Sequence, residues 1–217
     1  MKILVCGGAG YIGSHMVKRL AELGNNVVTL DNLSTGHHEA IRWGELIIGD
    51  ILDREKLNSM FRTGNFDAVM HFSARSLVGE SVTEPSAYYQ NNVIGTWTLL
   101  EAMRQFNVRR FIFSSTAATF GIPTQPFIDE NHTQHPINPY GWSKWMVEQL
   151  LRDYALAYGL NSVSLRYFNA AGADAGGEIG ESHQPETHLI PNVLRTLLTG
   201  ATPLRVFGTD YPTRDGT

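Results

Sequence analysis

Two side chains that could move a proton, Tyr140 and Lys144, stand four residues apart within the predicted helix Pro139–Tyr158. That spacing places both on one face of the helix. A phenol, whose reference pKa is about 10, must lose its proton to act as a base. An ammonium about 4 Å away contributes about 4 kcal/mol at an intermediate dielectric, which would lower the pKa of the phenol by about 2–3. The pair could then remove a hydroxyl proton while hydride leaves the same carbon.

Hydroxyl side chains follow a predicted strand, Arg109–Ser114, as the run Ser114-Ser115-Thr116. Ligands of parallel sheets bind at the carboxyl ends of the strands, so a hydroxyl there could hydrogen-bond a substrate oxygen opposite Tyr140. Each feature alone has an ordinary alternative. Tyr-x-x-x-Lys recurs on amphipathic helices, and Ser or Thr after a strand often serves a turn. Their combination indicates an alcohol-oxidising site.

A glycine-rich turn links the predicted strand Lys2–Cys6 to the predicted helix Tyr11–Leu23, with Gly7, Gly10 and Gly13 at its key positions. Glycines let the backbone approach a diphosphate, and the free N–H groups at the helix start favour its charge. The alternative is a plain tight turn. The strand before it and the helix after it favour a dinucleotide site.

An acidic residue, Asp31, closes the second predicted strand 18 residues after Gly13. A carboxylate there accepts hydrogen bonds from the adenosine ribose and repels a 2′-phosphate, which favours NAD over NADP. The alternative is that Asp31 caps the following turn. Asp50, after the third strand, is a candidate acceptor for the adenine edge, with a turn role as its alternative.

Strands and helices alternate along the chain, which predicts an α/β fold of the Rossmann type, a doubly wound parallel sheet. We expect residues 1–167 to form an NAD-binding domain that carries the catalytic residues. After it we expect a loop over 169–180, a helix over 188–199 and a short strand over 204–207, as an incomplete substrate-binding region, 168–217. The predicted strands are Lys2–Cys6, Asn26–Leu30, Glu45–Gly49, Ala68–Phe72, Arg109–Ser114 and Ser162–Tyr167, and the other predicted helices are Asp53–Phe61 and Pro85–Phe106.

The composition narrows the class of protein. The chain has 217 residues, a net charge of −4 and no run of basic residues, which argues against nucleic acid or an anionic membrane as the partner. Cys6 is the only cysteine, so no internal disulfide can form. We expect no export signal and no membrane span, hence a cytoplasmic location. The eight histidines show no familiar metal-ligand spacing, and we expect no metal site.

The chain closely resembles the extended short-chain dehydrogenase/reductase family, and within it the enzymes that epimerise nucleotide sugars at C4. The resemblance runs through the whole chain. The matching segments are GGAGYIGSH (7–15), DNLS (31–34), GDI (49–51), HFSA (71–74), VGES (78–81), NNVIGT (91–96), FSSTAATFG (113–121), NPYGWSK (138–144), LRYFNAAGA (165–173), HLIP (188–191) and FGTDYPTRDGT (207–217).

The resemblance implies roles for individual residues. Thr116, Tyr140 and Lys144 would form the catalytic set, with Tyr140 as base and Lys144 as its electrostatic partner. Substrate-facing positions would be Thr116, Tyr140, Phe168, Asn169, His188, Leu189 and Phe207. Positions facing NAD would be Gly7, Gly10, Tyr11, Ile12, Gly13, Asp31, Asn32, Ser34, Asp50, Ile51, Phe72, Ser73, Ala74, Asn91, Ser114, Tyr140, Lys144 and Tyr167.

The same resemblance implies the reaction, an NAD-dependent epimerisation at C4 of a UDP-hexose through a transient 4-keto sugar. It also implies a homodimer that pairs helices 85–106 and 139–158, although their apolar faces could equally pack on the sheet. Members of the family continue beyond the DYPTRDGT-like segment, so we expect a truncated chain that is weak or inactive alone. UDP-glucuronate or a UDP-N-acetylhexosamine is an alternative substrate. A 4,6-dehydratase and a non-catalytic NAD-binding module are further alternatives.

Three residues differ from the pattern of the family. Ser76 stands where some epimerases have Lys, Phe120 replaces a frequent Tyr, and His188 stands where some members carry Asn. All three differences concern contacts with the substrate rather than the type of reaction.

Overall fold

A computed structural model describes residues 1–200, 203–205, 208–214 and 216. Six parallel strands form one sheet in the order β3-β2-β1-β4-β5-β6. This order places the crossover between β1 and β4 at the centre, as in the Rossmann fold, and confirms the predicted fold class. The strands are β1 Lys2–Cys6, β2 Asn26–Asp31, β3 Glu45–Ile48, β4 Ala68–His71, β5 Arg110–Thr116 and β6 Asn161–Tyr167.

Helices cover both faces of the sheet, which is why its central strands are apolar on both sides. On one face, Val17 of the first helix packs against Val5 and Val27. On the other, Leu57, Leu99 and Leu151 come from three different helices and join one buried cluster with the sheet. The helices are α1 Tyr11–Glu22, α2 Arg54–Gly64, α3 Val78–Thr83, α4 Pro85–Tyr88, α5 Thr96–Gln105, α6 Pro139–Tyr158 and α7 Leu189–Thr199.

The start of α6 matters because this helix carries both Tyr140 and Lys144. Asn138 caps it by accepting a hydrogen bond from the Gly141 N–H at 2.8 Å. Pro139 occupies the first turn, where a missing N–H costs nothing. Gly159, with φ of 69°, ends the helix in the left-handed conformation. The predicted bounds of this helix are confirmed.

The predicted helix 85–106 is continuous but not uniform. Between α4 and α5, residues Tyr89–Gly95 form a π-helical segment. Wider turns of this kind are often found at functional sites. Here the segment holds the buried Asn92, whose side-chain amide donates to the Arg75 carbonyl at 3.0 Å and to Ser143 Oγ at 2.9 Å. The segment therefore connects the chain after β4 to α6.

After β6 the chain forms a loop without regular elements as far as α7, as predicted for residues 169–180. The loop is tied to α1, since Lys18 Nζ lies 2.8 Å from Asp174 Oδ1 and 2.7 Å from Glu178 Oε2. Helix α7 exposes a row of apolar side chains, Leu189, Ile190, Leu194, Leu197 and Leu198. A row of exposed apolar side chains often marks a surface that contacts another protein segment.

Two further expectations concern the last part of the chain. The predicted strand 204–207 is wrong for Leu204 and Arg205, which form no strand, and Val206 and Phe207 lie outside the described residues. Among the helices of the described residues, none is long and apolar enough to cross a membrane.

Candidate active site

The glycine turn lies between β1 and α1, and two of its glycines are required by the protein itself. Gly7 has φ of 78°, and a Cβ there would lie 2.4 Å from the Ser73 N. A Cβ on Gly13 would lie 2.1 Å from the Gly7 carbonyl oxygen. Both positions exclude any side chain, because backbone atoms cannot move aside cheaply. The turn is thus folded tightly onto the end of β4.

Gly10 is different, because the protein leaves room beside it. A Cβ on Gly10 would meet only the Gly7 carbonyl oxygen, at 3.5 Å, which is ordinary contact. Within the described residues, the N–H groups of Tyr11, Ile12 and Gly13 have no hydrogen-bond acceptor, as expected for the first turn of a helix. Open space beside free N–H groups at a helix N-terminus fits the diphosphate of a dinucleotide.

Asp31 performs the turn role that was its alternative, and this leaves the ribose role possible. Its Oδ2 accepts from the Ala9 N–H and its Oδ1 from the Leu33 N–H, each at 2.9 Å. Each carboxylate oxygen has two lone pairs, so both can accept a further hydrogen bond. Asp31 therefore fixes the glycine turn and still offers acceptors at the carboxyl end of β2.

The predicted adenosine-side residues lie together at this edge. Asn32 Nδ2 donates to Asp50 Oδ2 at 2.8 Å, and the Ser34 N–H donates to Asn32 Oδ1 at 3.0 Å. Asp50 Oδ1 also accepts from the Leu52 N–H at 2.8 Å, so its turn role is real. Ile51 is buried in the core, where it packs against Gly95. Ile51 can therefore contact a ligand only through its backbone or the small exposed part of its side chain.

Phe72, Ser73 and Ala74 follow β4 and are half-buried next to the glycine turn. The Phe72 N–H donates to the Cys6 carbonyl at 2.7 Å, which holds this segment beside the end of β1. Asn91 is half-buried too, and its amide donates to Asn92 Oδ1 at 2.9 Å. These four residues lie along the continuation of the edge that begins at Gly7.

The predicted catalytic hydroxyls meet. Burial is the largest influence on the pKa of Tyr140 and raises it above its ordinary value. The hydroxyl of Thr116, the last residue of β5, acts in the opposite direction and lowers that pKa. The ring of Tyr140 packs edge-on against Tyr88 at 6.4 Å between centroids. The phenol is thus held in place but kept protonated by the chain's own groups.

Lys144 lies deep between α6 and β5. Its Nζ donates to the Ser114 carbonyl at 2.7 Å and lies 5.9 Å from the centroid of the Tyr140 ring. Burial lowers the pKa of Lys144 to about 7, so the ammonium is only partly charged at neutral pH. In the chain without a cofactor, burial raises the pKa of Tyr140, and Lys144 does not reverse this effect.

Ser114 serves the site in two ways. Its carbonyl accepts the hydrogen bond of Lys144. Burial raises the pKa of Tyr167, and the nearby side chain of Ser114 offsets part of this effect. Tyr167 and Thr116 are register partners on β6 and β5. The ends of these two strands therefore bring three predicted site residues to one place.

The predicted substrate-facing residues are not gathered in this way. Phe168 and Asn169 are exposed just after β6, while His188 and Leu189 are exposed at the start of α7. In the described part of the chain, none of these four residues forms a hydrogen bond with Tyr140 or Thr116. Phe207 lies outside the described residues. Among the residues that the structure describes, these four do not enclose the sugar side of the site.

Several supporting residues were not identified from the sequence. Glu148, one helical turn after Lys144, is buried and accepts from Ser115 Oγ, from Arg166 Nη2 at 2.7 Å and from Gln134 Nε2 at 3.0 Å. Ser143 Oγ donates to the Tyr140 carbonyl at 2.7 Å and accepts from Asn92. The sequence signal that could have identified Glu148 and Ser143 is that both are polar residues on the face of α6 that is buried. A second group that the sequence did not reveal is formed by Glu181, His183, Glu186 and His188.

Comparisons with known proteins agree with this arrangement. Residues 3–216 match the NAD dependent epimerase/dehydratase family. The UDP-glucose 4-epimerase of Rhizobium meliloti (strain 1021) is 55% identical over 215 residues, which are 99% of this chain and 66% of that protein.

Solved structures agree as well. The crystal structure of UDP-glucose 4-epimerase from Brucella ovis in complex with NAD is 51% identical, with a TM-score of 0.95, and the match covers 99% of this chain and 66% of that one. The Bifidobacterium longum enzyme in complex with NAD+ and UDP is 36% identical, with a TM-score of 0.95, over 100% of this chain and 68% of that one.

The chain thus spans about 66% of the length of the curated relatives that it matches. The match nevertheless extends along this chain almost from end to end, and it includes the glycine turn, the strand ends and helix α6. The chain belongs to the NAD dependent epimerase/dehydratase family.

Proposed function

We propose that the protein interconverts UDP-glucose and UDP-galactose by epimerisation at C4, with NAD as its cofactor. The observation that carries the proposal is the meeting of Tyr140, Thr116 and Lys144 at the carboxyl end of β5. This set lies on the same sheet edge as a glycine turn with room for a diphosphate. The relatives named UDP-glucose 4-epimerase support the choice of sugar.

The residues of the edge would hold NAD in a defined order. The N–H groups of Tyr11, Ile12 and Gly13 face the diphosphate, and Asp31 accepts from the adenosine ribose. Asn32, Ser34, Asp50 and Ile51 surround the adenosine end. Phe72, Ser73, Ala74, Asn91 and Tyr167 follow the cofactor toward Tyr140 and Lys144, with Ser114 behind them. When bound, NAD accepts a hydride from the sugar carbon and later returns it.

The chain's own residues would move the proton and hold the sugar. Tyr140 removes the proton of the 4-hydroxyl as the carbon becomes a ketone, and Thr116 hydrogen-bonds the same oxygen. After the keto sugar has turned over and its other face has been reduced, Tyr140 would return the proton to the same oxygen. The reaction has no net redox change, so the cofactor need not leave.

Burial of Tyr140 has a chemical consequence. The pKa of this phenol is raised in the chain by itself, so the base needs positive charge nearby to ionise at neutral pH. Lys144, with a pKa of about 7, supplies only part of it. The proposal therefore makes proton removal dependent on the filled cofactor site.

Other reactions of the family are less well supported. A 4,6-dehydratase needs a carboxylic acid beside the catalytic hydroxyl, and Thr116 is followed by Ala117 and Ala118. UDP-glucuronate and UDP-N-acetylhexosamines stay open as substrates, because the predicted residues that the structure describes do not enclose the sugar side of the site. We retain Phe168, Asn169, His188, Leu189 and Phe207 as its predicted lining, within the predicted substrate region 168–217.

We also propose a homodimer through the helices of 85–106 and 139–158. Ile94, Trp97 and Met146 are exposed on these helices, which supports an apolar contact there. Leu100 and Leu151, by contrast, are buried against the sheet, as the packing alternative predicted. The cytoplasmic location stays a prediction.

The first prediction concerns Tyr140→Phe. This variant should convert UDP-galactose to UDP-glucose at least about 100-fold more slowly than the wild-type chain, because it lacks the group that carries the proton. NAD affinity, measured by calorimetry, should change little. Tyr158→Phe, half-exposed at the far end of α6, is the matched control and should keep the wild-type rate. Conversion of UDP-galactose by Tyr140→Phe at the wild-type rate would refute the proposal. So would a wild-type chain that neither converts UDP-galactose nor binds NAD.

The second prediction concerns the choice of cofactor. The wild-type chain should bind NAD at least about 10-fold more tightly than NADP, about 1.4 kcal/mol, because Asp31 repels the 2′-phosphate. Asp31→Asn should narrow this ratio. Asp67→Asn, which alters a carboxylate bonded to the Lys2 N–H at the opposite end of the sheet, should leave it unchanged. Equal affinity of the wild-type chain for both dinucleotides would contradict the role of Asp31.

The third prediction uses the buried lysine. In the unfolded chain a lysine keeps its proton up to a pKa of about 10.4, whereas in the folded chain the pKa of Lys144 is about 7. Between these values the unfolded state binds more protons, so the free energy of unfolding rises with pH, by up to about 1.4 kcal/mol per pH unit. Urea titrations of wild type and Lys144→Met should therefore diverge between pH 7 and 9 in favour of the wild type. A difference that is constant over that range would show that Lys144 is not desolvated.

A further inference from the structure

Four side chains with metal-binding donors gather before and at the start of α7. They have the spacing Glu-x-His-x-x-Glu-x-His, as Glu181, His183, Glu186 and His188. Their donor atoms all lie within 4.8 Å of one another. His188 Nδ1 lies 2.7 Å from Glu186 Oε1 and 2.9 Å from Glu181 Oε1. His183 Nδ1 lies 3.4 Å from Glu181 Oε1 and 3.9 Å from Glu186 Oε2.

Two of these donor atoms are buried and have no hydrogen bond, namely Glu181 Oε1 and His183 Nδ1. The side chains of Glu181 and Glu186 are only 10% and 1% exposed. The short approach of Glu181 to His188 is not aligned as a hydrogen bond, and the nitrogen it faces is already bonded to Glu186. A buried carboxylate oxygen that accepts no hydrogen bond is costly, and a cation held among these donor atoms would offset that cost.

We infer that these four side chains form a binding site for one zinc ion. Zinc takes four ligands in a tetrahedron, with bonds of about 2.0–2.1 Å to histidine nitrogen and carboxylate oxygen, so adjacent donor atoms should be about 3.3 Å apart. The four separations between carboxylate and imidazole donors, 2.7–3.9 Å, lie on both sides of that value, and all the donor atoms lie within 4.8 Å of one another. Small side-chain shifts would complete the tetrahedron.

The donor set also selects the kind of cation. Two imidazole nitrogens disfavour Mg²⁺ and Ca²⁺, which prefer oxygen ligands. The two carboxylates balance the charge of a divalent ion. Four ligands from the protein leave no open position, which is typical of a structural rather than a catalytic zinc site.

The site would add an anchor to a segment that already contacts the rest of the chain. Besides the ion pairs of Lys18, the Tyr11 hydroxyl donates to the Gly172 carbonyl, and His37 Nε2 lies 2.9 Å from the Ser182 carbonyl oxygen. An ion held by Glu181, His183, Glu186 and His188 would lock the loop to the first turn of α7. His188 would then be a zinc ligand that also fixes the position of Leu189.

The alternative without metal is a set of ion pairs between the carboxylates and protonated histidines. The two arrangements differ in what they need, because zinc binds neutral imidazole nitrogens, whereas the ion pairs need protonated imidazoles. The cluster does not depend on NAD or on a sugar, so a test of zinc binding is independent of the proposed epimerase activity.

The experiment is a calorimetric titration of zinc sulfate into the 217-residue chain after chelator treatment. We expect one equivalent to bind, with a Kd below about 1 µM. In His183→Gln and in Glu186→Gln the affinity should fall at least about 10-fold. His38→Gln, which alters an exposed histidine, should bind zinc like the wild type. Cobalt(II) should give the visible absorption of a tetrahedral site in the wild-type chain and lose it in the two variants.

Failure to bind one equivalent of zinc would overturn the inference, and so would binding that neither variant weakens. Glu186 also accepts a hydrogen bond from the His188 N–H, so its variant could unfold the segment. Glu181→Gln decides in that case, because the Oε1 of this residue has no hydrogen bond to lose. Wild-type zinc affinity in folded Glu181→Gln would count against the site.

Discussion

The site depends on one buried contact, the hydrogen bond from Lys144 Nζ to the carbonyl of Ser114. It ties α6 to the carboxyl end of β5 and so decides where Tyr140 lies relative to Thr116. A cation in such a place loses its hydration, and one hydrogen bond does not replace it, which is why the pKa of Lys144 falls to about 7. The positions of the reactive groups are thus maintained at a cost in folding stability.

Polar groups around this contact keep α6 from sliding along the sheet. Glu148 binds Arg166 of β6 and Ser115 of β5, while Asn92 of the π-helical segment holds Ser143. Tyr140, Lys144 and Glu148 follow one another at a spacing of four residues on α6. The first two are the predicted catalytic residues, and Glu148 holds the helix in position, as a precise site requires. Opposite this rigid half, the predicted residues that the structure describes do not enclose the sugar side, and α7 presents exposed apolar residues.

The sequence predicted those features of the fold that depend on residues close together in the chain. The six strands and the bounds of α6 follow from apolar runs, cap residues and glycines that act over a few positions. Burial and long-range contacts were not predictable in this way. Burial raises the pKa of Tyr140, an effect that depends on neighbours in space rather than in sequence, and the Glu181–His188 group needed a folded loop to bring it together. The roles of the individual site residues stay predictions.

The central claim is that the phenol of Tyr140 lies beside the position that the nicotinamide ring of NAD would occupy. The direct test is a titration of tyrosinate absorbance, with the Tyr140→Phe chain subtracted to isolate one of the eight tyrosines. Without NAD, the pKa of Tyr140 should lie above its ordinary value. With saturating NAD it should fall, because a positive ring close to the phenol favours the phenolate. A pKa that does not move when NAD is bound would contradict the account.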